Sequence, residues 1–117
     1  MNLLLTILIA FVALEHIYFL VLEMFFWTKP IGLKTFGLKK EYAEQSKVLA
    51  ANQGLYNGFL AAGLVWSIVE KNTEIAFFFL SCVIIAGVYG AYSTKNIKLF
   101  FLQSVPALLA LLLMCLN

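Results

Sequence analysis

Two carboxylates and the chain's single histidine lie inside one long apolar run. The run extends from Leu3 to Trp27 and contains Glu15, His16 and Glu23. An ionisable side chain at the centre of a bilayer costs about 2.5–3.5 kcal/mol on insertion scales, so such residues commonly mark a pathway or a relay. Carboxylates supply negative charge, and histidine exchanges a proton near neutral pH. The pattern therefore indicates a site for a polar or cationic small molecule within a membrane.

The composition predicts the kind of fold that must position these groups. Of the 117 residues, 63% are hydrophobic and 12% are charged, whereas a soluble globular domain is about half apolar and about a quarter charged. Four apolar runs are each about 20 residues long, enough for a helix to cross a hydrocarbon core roughly 30 Å thick. We expect an all-α integral membrane four-helix bundle with antiparallel up-down topology, forming a single domain over residues 1–117.

Polar connections separate the four expected helices. Gly32 and Gly37 interrupt the segment 28–46, and short polar turns occupy residues 70–74 and 94–96. The helices are therefore predicted over residues 3–27, 47–69, 75–93 and 97–116, and good helix formers at 40–47 allow the second to begin before the membrane does. Pro106 should kink the last helix, because it lacks an N–H and its ring clashes with the preceding turn.

The second predicted helix carries two different faces. At 100° per residue, one face is polar and the opposite face consists of small residues. The polar face carries Asn52, Gln53, Tyr56 and Asn57, and the small-residue face carries Ala50, Gly54, Gly58 and Ala61. The small-residue face permits close approach of another helix backbone, while the polar face can hydrogen-bond to a neighbour.

An antiparallel pairing of the first two helices about Gly37 brings the two polar groups together. Glu23 is then level with about Ala51, where Asn52 and Gln53 are its expected partners, and Glu15 and His16 are expected to meet Tyr56 and Asn57. The third and fourth helices add Tyr89, Tyr92 and Gln103 to the expected lining. We infer a polar cavity, closed toward the outside and open toward the cytoplasm. Two alternatives remain open, in which the amides act only as interhelical glue worth about 0.6–2 kcal/mol each, or Glu15 and His16 form a structural pair.

The lysines predict the orientation in the membrane. Seven of the eight flank residues 28–46 and 94–96, and Lys71 alone lies on the other side. The positive-inside rule then puts those two connections in the cytoplasm and both termini outside, with the protein integral to the cytoplasmic membrane. This asymmetry argues against dual topology. The chain contains no arginine and no basic helical face, which makes nucleic acid a poor partner.

Neither a metal site nor a cofactor is indicated. Cys82 and Cys115 have only one histidine to join them, which does not make a zinc or iron site. We therefore expect the partners to be membrane lipid and an unidentified small molecule.

The chain resembles a family of small four-span bacterial membrane proteins of unknown function. The resemblance covers almost the full length and rests on Glu15 to Trp27 (EHIYFLVLEMFFW), Phe36-Gly37, and Ala51 to Gly63 (ANQGLYNGFLAAG). It implies a four-helix membrane fold and brings no established activity, substrate or cofactor. Small multidrug resistance exporters also have four helices and a glutamate near the middle of the first, but the rest of this sequence does not match them.

Three functions are compatible with these residues. In the first, a transporter or binding protein uses Glu15 and Glu23 for charge, His16 for proton exchange and the amides to orient the substrate. One small bundle leaves little room for alternating access, so a homodimer packed on the Gly54/Gly58 or Ala86/Gly90 ridge would provide it. In the second, an integral-membrane enzyme uses a Glu/His acid–base pair on a lipid-soluble substrate. No Ser or Cys nucleophile lies beside His16, so no catalytic residue is assigned. In the third, the chain is a structural subunit whose polar face recognises a partner.

Overall fold

The computed structural model describes residues 1–116, and over that range the chain is helical without strands. It contains five helices. They are α1 (Leu3–Phe25), α2 (Pro30–Phe36), α3 (Lys40–Val69), α4 (Thr73–Thr94) and α5 (Ile97–Leu116). The expected all-α class is confirmed, and the up-down antiparallel bundle stays a prediction.

Three of these helices are long and apolar enough to cross a membrane, namely α1, α4 and α5. This is the composition of a membrane protein. Helix α3 is the longest at 30 residues, yet it is not among the three, because its first two turns are charged and its middle carries amides. Its crossing of the membrane stays a prediction.

The connection expected to be a polar loop over residues 28–46 contains a short helix, α2. Pro30 stands in the first turn, where its fixed φ favours a helix and its missing N–H costs nothing. Gly37 ends the helix at φ 64°, in the left-handed region, and its N–H bonds to the Leu33 carbonyl. The two residues are therefore the boundaries of a short helix.

The chain divides into two compact units. The connector unit is Glu15–Phe59, and the terminal unit consists of Met1–Leu14 with the chain from Leu60 onward. Helices α1 and α3 each contribute residues to both.

The terminal unit has an aliphatic core. Its buried members are Leu5, Ile9, Val12, Ala13, Leu64, Ala76, Leu80, Val83, Ala107 and Ala110. The α3–α4 turn is set by Asn72, whose side chain accepts hydrogen bonds from the N–H groups of Glu74 and Ile75 at 2.8 and 3.2 Å, the usual N-terminal cap of a helix. Asn96 caps the start of α5 in the same way through the N–H of Lys98.

Helix α5 widens into one π-helical turn at Phe100–Ser104, which ends two residues before Pro106. The N–H of Val105 bonds to the Phe100 carbonyl, five residues back. Proline at 106 has no N–H to donate and its ring crowds the carbonyl four residues earlier, so a wider turn accommodates it. A π turn is a feature frequent at functional sites, and the kink expected at Pro106 stays a prediction.

In the connector unit, α1 and α3 pack closely as an antiparallel pair. A Cβ placed on Gly54 would lie 2.7 Å from the Met24 Cγ and 3.2 Å from the Leu20 carbonyl oxygen, and one on Gly58 would lie 2.6 Å from the Leu20 Cδ1. The Gly54/Gly58 ridge is therefore occupied by α1 of the same chain, which removes it as the surface for a second copy.

Candidate functional site

The centre of the connector unit is a hydrogen bond between Glu23 and Asn57. The Asn57 Nδ2 donates to the Glu23 Oε1 at 2.6 Å, and Asn57 is 4% exposed. Asn57 lies between Gly54 and Gly58 in sequence, at the border of the ridge that contacts α1. Because the glycines bring the two backbones close, the short asparagine side chain reaches the carboxylate of Glu23.

This pairing corrects the expected register. Glu23 was expected level with Ala51 and bonded to Asn52 and Gln53, but it lies beside Gly54 and bonds to Asn57. The shift is three residues, close to one helical turn. Its cause is the connection itself, because α2 occupies residues 30–36 and α3 begins at Lys40, so the pair is not centred on Gly37.

The other polar residues of α3 lie outside the contact with α1. The Asn52 Nδ2 donates to the Val48 carbonyl of its own helix at 2.9 Å, and the side chains of Asn52, Gln53 and Tyr56 are exposed. On the helical wheel these residues are farther from the glycine ridge than Asn57 is. The structure therefore does not pair them with Glu23.

Glu15 and His16 lie two turns before Glu23 on α1. His16 is fully buried, and its ring meets Phe19 edge-to-face with centroids 5.4 Å apart. Glu15 is half-buried, and its Oε1 is a buried polar atom with no hydrogen-bond partner in residues 1–116. At 1.5 Å per residue, the two carboxylates are about 12 Å apart along the helix axis.

The residues predicted from α4 and α5 belong to the terminal unit. Tyr89 and Tyr92 are exposed, and Gln103 is half-buried on the π turn. Two surface hollows of about 440 Å³ also lie in this unit. Their linings are Val88, Ala91, Tyr92, Lys95, Ile97 and Phe100, and Met1, Asn2, Leu5, Thr73 and Met114. Neither lining includes a carboxylate of α1, so the predicted polar cavity stays a prediction.

Over residues 1–116, no cluster of three or more His, Cys, Asp or Glu side chains has the geometry to hold a metal ion. Cys82 and Cys115 are free thiols. The polar groups that α1 and α3 bring together are the Glu23 carboxylate and the Asn57 amide.

Several contacts of the connector unit had no signal in the sequence. The Trp27 Nε1 donates to the Ser46 Oγ at 3.0 Å, and the Ser46 hydroxyl donates in turn to the Tyr42 carbonyl at 2.7 Å. Trp27 also packs on Phe36 with ring centroids 5.0 Å apart. The two contacts of Trp27 join residues 9 and 19 positions apart, which neither periodicity nor local turn chemistry predicts, whereas the Ser46–Tyr42 bond is local to α3.

The apolar helices α1, α4 and α5 give this all-α chain the length and composition of a membrane protein. A family model described as "Protein of unknown function (DUF1304)" matches residues 10–115. The chain belongs to this family, which confirms the expected membership in a family of unknown function. It is 36% identical over 116 residues to "Uncharacterized protein YpaA" of Lactococcus lactis subsp. lactis (strain IL1403), covering 96% of this chain and 97% of that protein. No solved structure matches the chain.

Replacing Asn57 with leucine should lower the free energy of unfolding by about 0.6–1.7 kcal/mol, the range measured for interhelical hydrogen bonds in membranes. The substitution removes the donor to Glu23 and keeps a side chain of similar size. Unfolding of the purified protein in mixed micelles, followed by circular dichroism, measures the change. Asn52→Leu is the matched control, since Asn52 bonds only to its own helix in the described structure. Equal losses for the two variants would contradict a role for the Glu23–Asn57 bond.

Proposed function

We propose that the protein binds a cationic small molecule within the membrane and carries it across, with Glu15 as the principal binding group. The observation that carries the proposal is the buried Glu15 Oε1, which has no hydrogen-bond donor within residues 1–116. A buried acceptor left unpaired costs about 1–3 kcal/mol, and more if it is charged. A bound cation or a proton supplies the missing partner.

The two carboxylates of α1 have different roles in this proposal. Glu23 already has a neutral donor in Asn57, which holds its side chain in place without neutralising its charge. Glu15 is about midway along α1, and Glu23 is near the end of the helix. A cation would be attracted by Glu23 and bound at Glu15, and the buried ring of His16 beside it would exchange the proton that the cation displaces.

The proposal includes a membrane arrangement with four crossings. Helix α3 is 30 residues long, or about 45 Å, which exceeds a hydrocarbon core of about 30 Å. Its close packing on α1 at Gly54 and Gly58 supports a crossing beside α1. The distribution of lysines, seven against one, favours cytoplasmic α1–α3 and α4–α5 connections with both termini outside.

The test is transport of tetraphenylphosphonium, a lipid-soluble monovalent cation, into proteoliposomes. We expect the wild-type protein to accelerate uptake and Glu15→Gln to abolish the acceleration, because glutamine keeps the shape of the side chain and cannot carry its charge. Glu41→Gln, at an exposed residue of α3, is the control and should match the wild type. Wild-type rates for Glu15→Gln, or failure of the wild type to move this cation or protons, would refute the proposal.

A second candidate is a structural subunit of a membrane complex. The observation that favours it is the exposed polar face of α3, where Gln53 and Tyr56 lie outside the contact with α1. In a bilayer such side chains gain from hydrogen bonds to a neighbouring helix. Stoichiometric co-purification of another membrane protein from native membranes, together with unchanged vesicle transport for Glu15→Gln, would favour this function over transport.

A further inference from the structure

We propose that residues Thr28–Lys40, here called the lysine platform, bind the phosphate-bearing headgroups of anionic lipids. The platform contains Lys29, Lys34, Lys39 and Lys40 and neither Asp nor Glu. All four lysines are exposed. Within residues 1–116 the salt bridge formed is Lys47 with Glu44 at 3.6 Å, so the platform's four ammonium groups are not neutralised by that part of the protein.

The platform directly follows an apolar helix that ends at Phe25. Phe25, Phe26 and Ile31 are exposed large hydrophobic side chains at this end of the helix. On α2, Ile31 and Lys34 are about 60° apart on the same exposed side, whereas Gly32, Leu33 and Phe36 form the more buried side. The surface thus presents apolar and cationic groups together.

The presence of apolar and cationic groups on one surface favours a lipid bilayer over a free anion as the binding partner. A free anion would satisfy the lysines and leave the exposed phenylalanines and Ile31 in water. A bilayer of anionic lipids offers acyl chains to the apolar side chains and phosphates to the ammonium groups at one boundary. Juxtamembrane lysines are attracted to such a surface.

The platform is also held in a fixed shape, which reduces the entropy lost on binding. The Trp27 ring packs on Phe36, and the Trp27 indole donates to Ser46 at the start of α3. Gly32 lies against the backbone carbonyl groups of Phe26 and Trp27. Helix α2 is therefore packed against the residues that follow α1, and Trp27 links those residues to α3.

The test compares two sets of four lysines in the full-length protein. In one variant Lys29, Lys34, Lys39 and Lys40 are all changed to glutamine, and in the matched control the chain's other four, Lys47, Lys71, Lys95 and Lys98, are changed. The two variants have the same net charge. Titrations with phosphatidylglycerol and with phosphatidylcholine, read by native mass spectrometry, give the lipid affinities, and circular dichroism checks the helix content of each protein.

We expect wild type to prefer phosphatidylglycerol. One lysine near an anionic surface is worth about fivefold in affinity, so the platform variant should lose about tenfold or more, and the control should keep most of its affinity. Replacing the four platform lysines with arginine should preserve binding. Equal losses in the two glutamine variants, or full affinity in the platform variant, would overturn the proposal. Displacement of phosphatidylglycerol by inorganic phosphate would also overturn it, because the surface would then bind the free anion.

Discussion

Alanine at Gly32 should lower the free energy of unfolding by about 3 kcal/mol or more, at the upper end of the range for overpacking. A Cβ at this buried position would overlap the carbonyl oxygen of Phe26 and lie 2.8 Å from the carbonyl carbon. Both are backbone atoms, so no side-chain rotation relieves the clash. Helix α2 must then move away from the end of α1, and the contact between Trp27 and Phe36 is lost with it. Unfolding in mixed micelles measures the loss.

Gly37 provides the matched control for Gly32, because its backbone conformation, and not a steric contact, favours glycine there. No atom lies within 4 Å of a Cβ placed there, but its φ is +64°. Alanine should therefore cost about 1–2 kcal/mol through backbone strain alone, and asparagine, which tolerates this conformation, should cost less. If Gly37→Ala is as damaging as Gly32→Ala, steric contact with Phe26 is not the cause of the larger effect.

The long helices were predictable because their signals are local. The apolar runs predicted helices over 75–93 and 97–116, and the structure has Thr73–Thr94 and Ile97–Leu116. Asn72 and Asn96 stand immediately before α4 and α5 and cap them, so the boundaries depend on side chains within three residues. Burial of the aliphatic residues of α1 and α4 in one core follows the same apolar pattern.

Helix α2 was not predicted, although two of its signals were present. Pro30 and Gly37 are in the positions expected for the start and the end of a short helix, but Gly32 between them was interpreted as a breaker. A helix of seven residues is too short to form on its own. It forms here because Gly32 packs on the backbone at Phe26 and Trp27, a contact that depends on the end of α1.

The sequence identified the polar residues of α1 and α3 but not which of them form hydrogen bonds with each other. The division of α3 into a small-residue face and a polar face followed from helical geometry, and Glu23 does bond to one of the four polar residues. Which face meets α1 is decided by packing. Gly54 and Gly58 allow the closer approach of the two backbones, so the glycine face packs on α1 and only Asn57, at its border, comes within reach of Glu23.

Alanine substitutions at Gly87 and Gly90 of α4 should have opposite effects on the free energy of unfolding. A Cβ on Gly87 would overlap the Ser104 Oγ and lie 3.0 Å from the Ser104 backbone nitrogen, whereas one on Gly90 would meet the Leu99 Cδ1 at an ordinary 3.7 Å. Gly87→Ala should therefore destabilise the protein by about 2 kcal/mol. Gly90→Ala should stabilise it by about 0.4–1 kcal/mol, since alanine has less backbone freedom to lose on folding.

A double-mutant cycle with Ser104→Ala identifies the atom responsible. The Ser104 hydroxyl donates to the Ile84 carbonyl at 3.0 Å, so its removal alone should cost about 1 kcal/mol. In the Gly87→Ala background the same removal also deletes the clashing oxygen, and we expect a coupling energy of about 1–2 kcal/mol between the two positions. Additive losses would show that the backbone of the π turn, rather than the hydroxyl, sets the distance between α4 and α5. The π turn would then be the rigid element, because the helix ahead of Pro106 could not shift to admit one methyl group.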